Sequence, residues 1–217
     1  MSVWNFKLPC DKKILIKKNQ IILGTQNKDK IRELAHLLSG SKILVLGLSG
    51  FPGHPEVVEN GKTFEANARK KARVYSRRTQ GLTLADDSGL MVNCLNGRPG
   101  VYSARFAGTD CTYQDNNRKL LKLLKNISGR KRKAKFICVM SLYDKGKFVA
   151  LVKGECSGMI ALFEKGRGGF GYDPVFIPEG FTKTFAELSP ATKNRISHRG
   201  KALRTMKRAI LHYLNRK

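Results

Sequence analysis

The chain has 217 residues, 41% of them hydrophobic, which suits one domain with a buried core and argues against disorder. Lys and Arg number 42 against 16 Asp and Glu, a net charge of +26 that favours anionic partners: nucleotides, nucleic acid or an acidic membrane surface. No apolar run approaches the roughly 20 residues of a membrane span, and five cysteines without a CxxC exclude a disulfide framework or a zinc knuckle and fit a reducing cytoplasm.

Met1 to Lys18 reads as a basic N-terminal extension without the apolar core of a signal peptide, ahead of a single domain over 19–217. Ile21-Ile22-Leu23 is a strand ending at Gly24-Thr25. Asn27 caps a helix from Lys28 to about Ser39, with Ile31, Leu34, Ala35 and Leu38 at helical spacing. A strand from Ile43 to Leu46 and a Gly/Pro-rich loop to Pro55 follow. Thr63 caps a second helix that sets Phe64, Ala68, Ala72 and Tyr75 on one face.

Leu82 to Ala85 reads as a short buried strand that stops at Asp86-Asp87, with Ser88-Gly89 in the loop beyond. Gly97-Arg98-Pro99-Gly100 is a turn, and Thr112 to Asp115 has capping-box spacing before a helix that buries Leu120, Leu121 and Leu124. Ala134 to Tyr143 and Phe148 to Val152 flank a hairpin turn. A Gly-rich loop, Gly166 to Gly171, precedes the strand Val175 to Ile177. Ser189-Pro190 starts a helix, and the final helix carries Leu203, Met206, Ile210 and Leu214. Helices alternate with strands, so the class is α/β with an antiparallel component.

Four constellations carry chemistry. Thr25-Gln26-Asn27-Lys28-Asp29-Lys30 joins a strand to a helix, and a helix N-terminus with a hydroxyl, an amide and a lysine can cradle phosphate. Glu59, Asp86 and Asp87 can hold a hard cation and orient a water. Neighbouring strand residues point to opposite faces, so one of the two aspartates aims with Glu59 and the other is free to meet backbone or a basic side chain. A lone carboxylate is a poor base for free water, about 12 pKa units away, and a bound cation narrows that gap. Gly168 to Pro174 offers close backbone approach, the face of Phe170 and the acceptor Asp173, suited to a flat heteroaromatic ligand. Lys193 with Ser197-His198-Arg199-Gly200 gathers donors for a carbonyl oxygen or phosphates.

Taken in order, these blocks resemble the inosine-triphosphatase-like family of noncanonical purine nucleoside triphosphate pyrophosphatases, in its bacterial-type branch. The matching pieces are Thr25-x-Asn27-x-x-Lys30, Glu59-x-Gly61-x-Thr63-Phe64-x-x-Asn67-Ala68, Ala85 to Leu90, Gly97-x-Pro99-Gly100-x-Tyr102-Ser103-Ala104-Arg105, Gly168 to Pro174, and Ala186-Glu187-Leu188 through Gly200. Gln26 departs from the pattern, in which Gly is frequent there.

The resemblance implies a long mixed sheet flanked by helices, two lobes enclosing a substrate cleft, and a cytoplasmic homodimer. It implies Mg2+-dependent hydrolysis of ITP, dITP and XTP to the monophosphate and pyrophosphate. Asp87 then aligns with the proton acceptor and metal ligand, and Glu59 with a second metal ligand. Thr25, Gln26, Asn27, Lys28, Asp29 and Lys30 align with the phosphate loop. Ser88, Phe170, Gly171, Tyr172, Asp173, Lys193, His198 and Arg199 align with substrate contacts. Two other readings compete: a basic nucleic-acid-binding protein without catalysis, gripping phosphates through Arg118 to Lys135 and the C-terminal helix, and a pyrophosphatase of different base preference. Nucleic-acid contact is compatible with the enzyme reading but not required by it.

Overall fold

The computed structural model describes residues 19–40, 43–51 and 53–216; the basic extension lies outside them. The strands are β1 (Gln20–Leu23), β2 (Leu44–Gly47), β3 (Leu82–Val92), β4 (Lys133–Asp144), β5 (Lys147–Ile160) and β6 (Phe176–Pro178). The helices are α1 (Lys28–Leu38), α2 (Phe64–Thr79), α3 (Tyr113–Leu123), α4 (Pro190–Ile196) and α5 (His198–Asn215). The six strands form one mixed sheet in the order β2-β1-β3-β4-β5-β6. β1 pairs in parallel with β2 and β3, and the β3-β4-β5-β6 stretch is antiparallel. The α/β expectation with a mixed sheet holds.

Local chemistry fixes the helix starts. The Asn27 side chain accepts from the backbone of Asp29 and Lys30, Thr63 from Ala66, Ser189 from Thr192 and Ser197 from Gly200. Thr112 and Asp115 form a full capping box. Asp144 and Lys147 close the β4–β5 hairpin around Lys145 and Gly146, both at positive φ as a two-residue turn between twisted strands demands.

The hydrophobic core falls into separate clusters. The largest packs Leu34 and Leu38 of α1 and Leu203, Met206 and Ile210 of α5 onto β1, β3 and β4. Another gathers Phe136, Phe176, Phe185 and Leu120 at the far end of the sheet. Between them β3 carries Asp86, Asp87 and Ser88, opposite the apolar Met140, Val139 and Cys138 of β4.

Five expectations need correction. β3 does not stop at Ala85: it runs to Val92, with Asp86 opposite Met140 and Asp87 opposite Val139 on β4. The ladder continues because β4 supplies backbone partners throughout, and the carboxylates find cationic and amide partners inside the protein, so their burial is compensated. β5 likewise runs on to Ile160 rather than ending at Val152. Ala35 on α1 is exposed, and Leu121 on α3 is only half-buried. Val175 lies in a single helical turn, Asp173–Val175, ahead of β6.

Candidate functional site

A cavity of about 300 Å³ brings together residues from every constellation: Thr25, Asn27 and Lys30; Glu59; Asp87 and Ser88; Phe170 to Asp173; and Lys193, His198 and Arg199. Gln26 also lines it, whereas Lys28 and Asp29 do not. Lys28 is exposed, and Asp29 instead accepts from the Tyr113 hydroxyl at 3.2 Å.

The strand alternation separates the two aspartates. Asp86, 1% exposed, lies 2.9 Å from Lys30 Nζ and 3.9 Å from Arg199 Nε, and accepts from the Ser88 hydroxyl at 2.7 Å. Burial works against its charge, but Lys30, Arg199 and Lys71 hold its carboxyl well below the usual range. Asp86 therefore braces two cations from α1 and α5 beneath the cavity. Burial likewise opposes the charge on Lys30, and Asp86 more than restores it.

Asp87, 5% exposed, points the other way. Its Oδ2 accepts from Asn67 Nδ2 at 3.0 Å and its Oδ1 from the Ser88 amide at 3.0 Å. Burial pushes its carboxyl up to about 6; Lys71 opposes this and Glu59 adds to it. Lys71, 6% exposed, pairs with Glu59 at 2.9 Å. Asn67 also accepts from the Gly61 amide at 2.7 Å, so one side chain ties Asp87 to the loop that carries Glu59. Arg105 Nη2 donates to the Glu59 carbonyl at 2.9 Å and fixes the same loop.

The opposite end of the cavity is aromatic and cationic. Gly169 has φ +72°, and a Cβ there would fall 2.0 Å from Asp173 Oδ2, so glycine admits the turn that lets Asp173 accept from the Phe170 amide at 2.8 Å. Lys193 Nζ sits 2.8 Å from Asp173 and 3.3 Å from Glu33, and Arg199 also pairs with Glu33. Both cations stand over the Phe170 ring, Lys193 Nζ 5.0 Å and Arg199 Cζ 5.3 Å from its centroid. His198 stacks on Phe136, the centroids 4.5 Å apart and the planes 7° from parallel. Burial, followed by the charges of Arg199 and Lys193, holds its imidazole well below the ordinary histidine range, so it is neutral at pH 7.

Several contributors escaped the sequence reading. Glu33 sits one turn beyond Lys30 on α1, and Lys71 one turn beyond Asn67 on α2. That i, i+3 or i, i+4 spacing was the available signal, since it puts a charge on a face that is otherwise buried. The run Arg130 to Lys133 includes a structural residue. Arg132 is buried and donates to the carbonyls of Leu124, Ile127, Ile160 and Ala161 at 2.6–2.8 Å. It joins the end of α3 to the end of β5 and offers nothing to a phosphate partner.

No helix among the described residues is long and apolar enough to cross a membrane. Residues 21–209 match the Ham1 family. A dITP/XTP pyrophosphatase of Desulforamulus reducens is 48% identical over 185 residues, covering 85% of this chain and 92% of its own. One from Bacillus anthracis is 46% identical over 193 residues, covering 88% and 96%. Among solved structures, a HAM1 protein from Coxiella burnetii gives a TM-score of 0.81 at 38% identity, covering 89% of this chain and 98% of that one. The Ham1 protein of Staphylococcus aureus gives 0.78 at 36%, covering 91% and 100%.

Proposed function

The chain belongs to the Ham1 family, and we propose that its cavity hydrolyses noncanonical purine nucleoside triphosphates, namely dITP, ITP and XTP, to the monophosphate and pyrophosphate. The enzyme is a nucleoside triphosphate pyrophosphatase, as its relatives are named. The observation that carries the reading is that one cavity is lined by a phosphate-suited helix start, an acidic pair, and an aromatic face under two cations.

In this reading the polyphosphate meets Thr25, Asn27, Lys30 and the N-terminus of α1, whose backbone amides favour anions. Glu59 and Asp87 are the residues that would hold Mg2+. They fit such an ion: burial and the neighbouring Glu59 make the Asp87 charge unfavourable, which a cation would relieve. Among the described residues no group of three or more His, Cys, Asp or Glu side chains is gathered, so these two carboxylates are the protein groups that would hold the ion. When bound, the ion neutralises phosphate charge and lowers the pKa of a coordinated water. Asp87 accepts the proton of the water that attacks the α-phosphorus. Asn67 fixes its orientation. Lys71 and Lys30 face the developing negative charge.

Base choice follows from the far end. Lys193 and Arg199 are donors whose acceptors, Glu33, Asp173 and Asp86, lie beneath them. A 6-oxo purine brings one more acceptor. The 6-amino group of adenine sets a donor against these donors instead, at about 1–3 kcal/mol or more. Phe170 supplies the stacking face, and Ser88, Gly171, Tyr172 and the neutral His198 complete the wall. A cytoplasmic homodimer belongs to the same reading; exposed Leu162 and Phe163 offer apolar surface to a second copy, and the mass in solution checks it.

The test is pyrophosphate release from ITP, XTP, ATP and GTP with Mg2+, wild type beside Asp87→Asn. Turnover of ITP and XTP that collapses in the variant supports the reading. A folded, metal-supplied wild type that turns over no triphosphate overturns it and returns the basic surface to nucleic acid.

A further inference from the structure

Tyr113 stands where the two ends of the cavity meet. It is the first residue of α3 and is 40% exposed, yet the helix does not need it: Thr112 and Asp115 cap α3, and Leu120 and Leu124 anchor it. Its hydroxyl donates to Asp29 Oδ2 at 3.2 Å and lies 3.5 Å from Asn27 Nδ2, both in the phosphate loop. Its ring lies 6.1 Å from that of Phe170, in the aromatic end. α3 is tied to that end as well, because Asn117 donates to the Gly171 carbonyl at 3.1 Å. Both Tyr113 and Phe170 line the cavity.

A nucleotide whose phosphates meet Asn27 and Lys30 and whose base meets Phe170 has only its sugar between them. Tyr113 spans that interval. A phenol has one O–H to donate and two lone pairs. Asp29 takes the proton and Asn27 engages one lone pair at long range, which leaves an acceptor for a sugar hydroxyl. Burial, the largest influence on this phenol, raises its pKa, so it stays protonated and keeps this pattern at neutral pH.

Resting on the substrate placement above, we propose that Tyr113 is a specificity-determining residue that accepts a hydrogen bond from the 3′-hydroxyl of the bound nucleotide. Relatives named for both dITP and XTP favour the hydroxyl that deoxyribose and ribose share.

The experiment measures KM and kcat for ITP, dITP and 2′,3′-dideoxy-ITP in wild type and Tyr113→Phe, which keeps the ring and the helix start. In the wild type, removing the 3′-hydroxyl raises KM about 5-fold, the worth of one ordinary hydrogen bond. In Tyr113→Phe that step disappears, while kcat for dITP stays within about twofold, as expected for a contact made equally in ground and transition states. A dITP-to-dideoxy step of equal size in both proteins overturns the inference, and so does a variant that raises KM equally for all three nucleotides, because the phenol would then act only through Asn27 and Asp29. Absence of wild-type turnover overturns the assigned function together with this inference, whereas an active wild type beside an indistinguishable variant overturns this inference alone.

Discussion

Replacing Asp86 by Asn removes a buried charge while keeping its shape. Lys30 Nζ and Arg199 Nε lie 2.9 and 3.9 Å from its Oδ2. At an effective dielectric constant of about 20, these separations correspond to attractions of about 6 and about 4 kcal/mol. The carboxylate's own desolvation, several kcal/mol, offsets much of that. What remains is the penalty for leaving two buried cations without this partner, about 3–5 kcal/mol when one member of a buried pair is neutralised. Glu33 still serves Arg199, so Lys30 carries most of the loss. At about 2–4 °C per kcal/mol for a chain of this size, Asp86→Asn melts about 10 °C below wild type. Urea unfolding with an unchanged m-value confirms that stability, and not denatured-state compactness, has changed. Because Lys30 is no longer fixed, KM for ITP rises about tenfold, the loss of one charge-assisted contact. A melting temperature within about 2 °C of wild type would refute the reasoning, since the ion cluster would then be no better than its amide replacement.

His198 gives a pH signature. Its folded pKa is depressed below the unfolded value, so the unfolded chain binds more protons over the interval between them and stability rises with pH there. Stability is therefore full above about pH 6.5 and falls below it, by up to about 1.4 kcal/mol per unit from this group. The charges facing it are Arg199, Lys193, Lys30 and Asp86. His198→Phe keeps the stack on Phe136 and shows a shallower slope between pH 5 and 6.5 in denaturant titrations; an unchanged slope would mean the imidazole does not resist protonation. Arg132→Met strands four carbonyls, three of them in fully buried contacts, and destabilises by about 3 kcal/mol or more. The same variant leaves any salt-sensitive DNA affinity of the folded protein unaltered, as fluorescence anisotropy at graded salt will reveal.

Where local chemistry decides, the sequence was readable. Asn27, Thr63, Thr112 and Ser189 announce their helices because a cap is satisfied within its own turn. The apolar faces of α2 and α5 followed from their period. The length of β3 did not. Asp86-Asp87 looks like a loop until Lys30, Arg199 and Asn67 arrive from other elements, and nothing local foretells that compensation. For the same reason alternation predicted that the two aspartates diverge but left their partners open. Glu33 and Lys71 were missed because their meaning lies in the opposite charges that other segments bring against them. Within the basic stretch Arg118 to Lys135 the sequence could not tell a surface cation from a structural one: Arg132 is spent inside the protein on carbonyls that only the tertiary fold brings to it.

The central claim is that this cavity directs water to the α-phosphorus with Asp87 as the acceptor of its proton. Hydrolysis of ITP in water enriched with oxygen-18, followed by mass spectrometry of the products, tests it most directly. The account predicts IMP and pyrophosphate in equal amounts, one labelled oxygen in the IMP phosphate and none in the pyrophosphate, with the reaction lost in Asp87→Asn. Label in pyrophosphate, release of IDP with labelled phosphate, or full activity in the variant would contradict it.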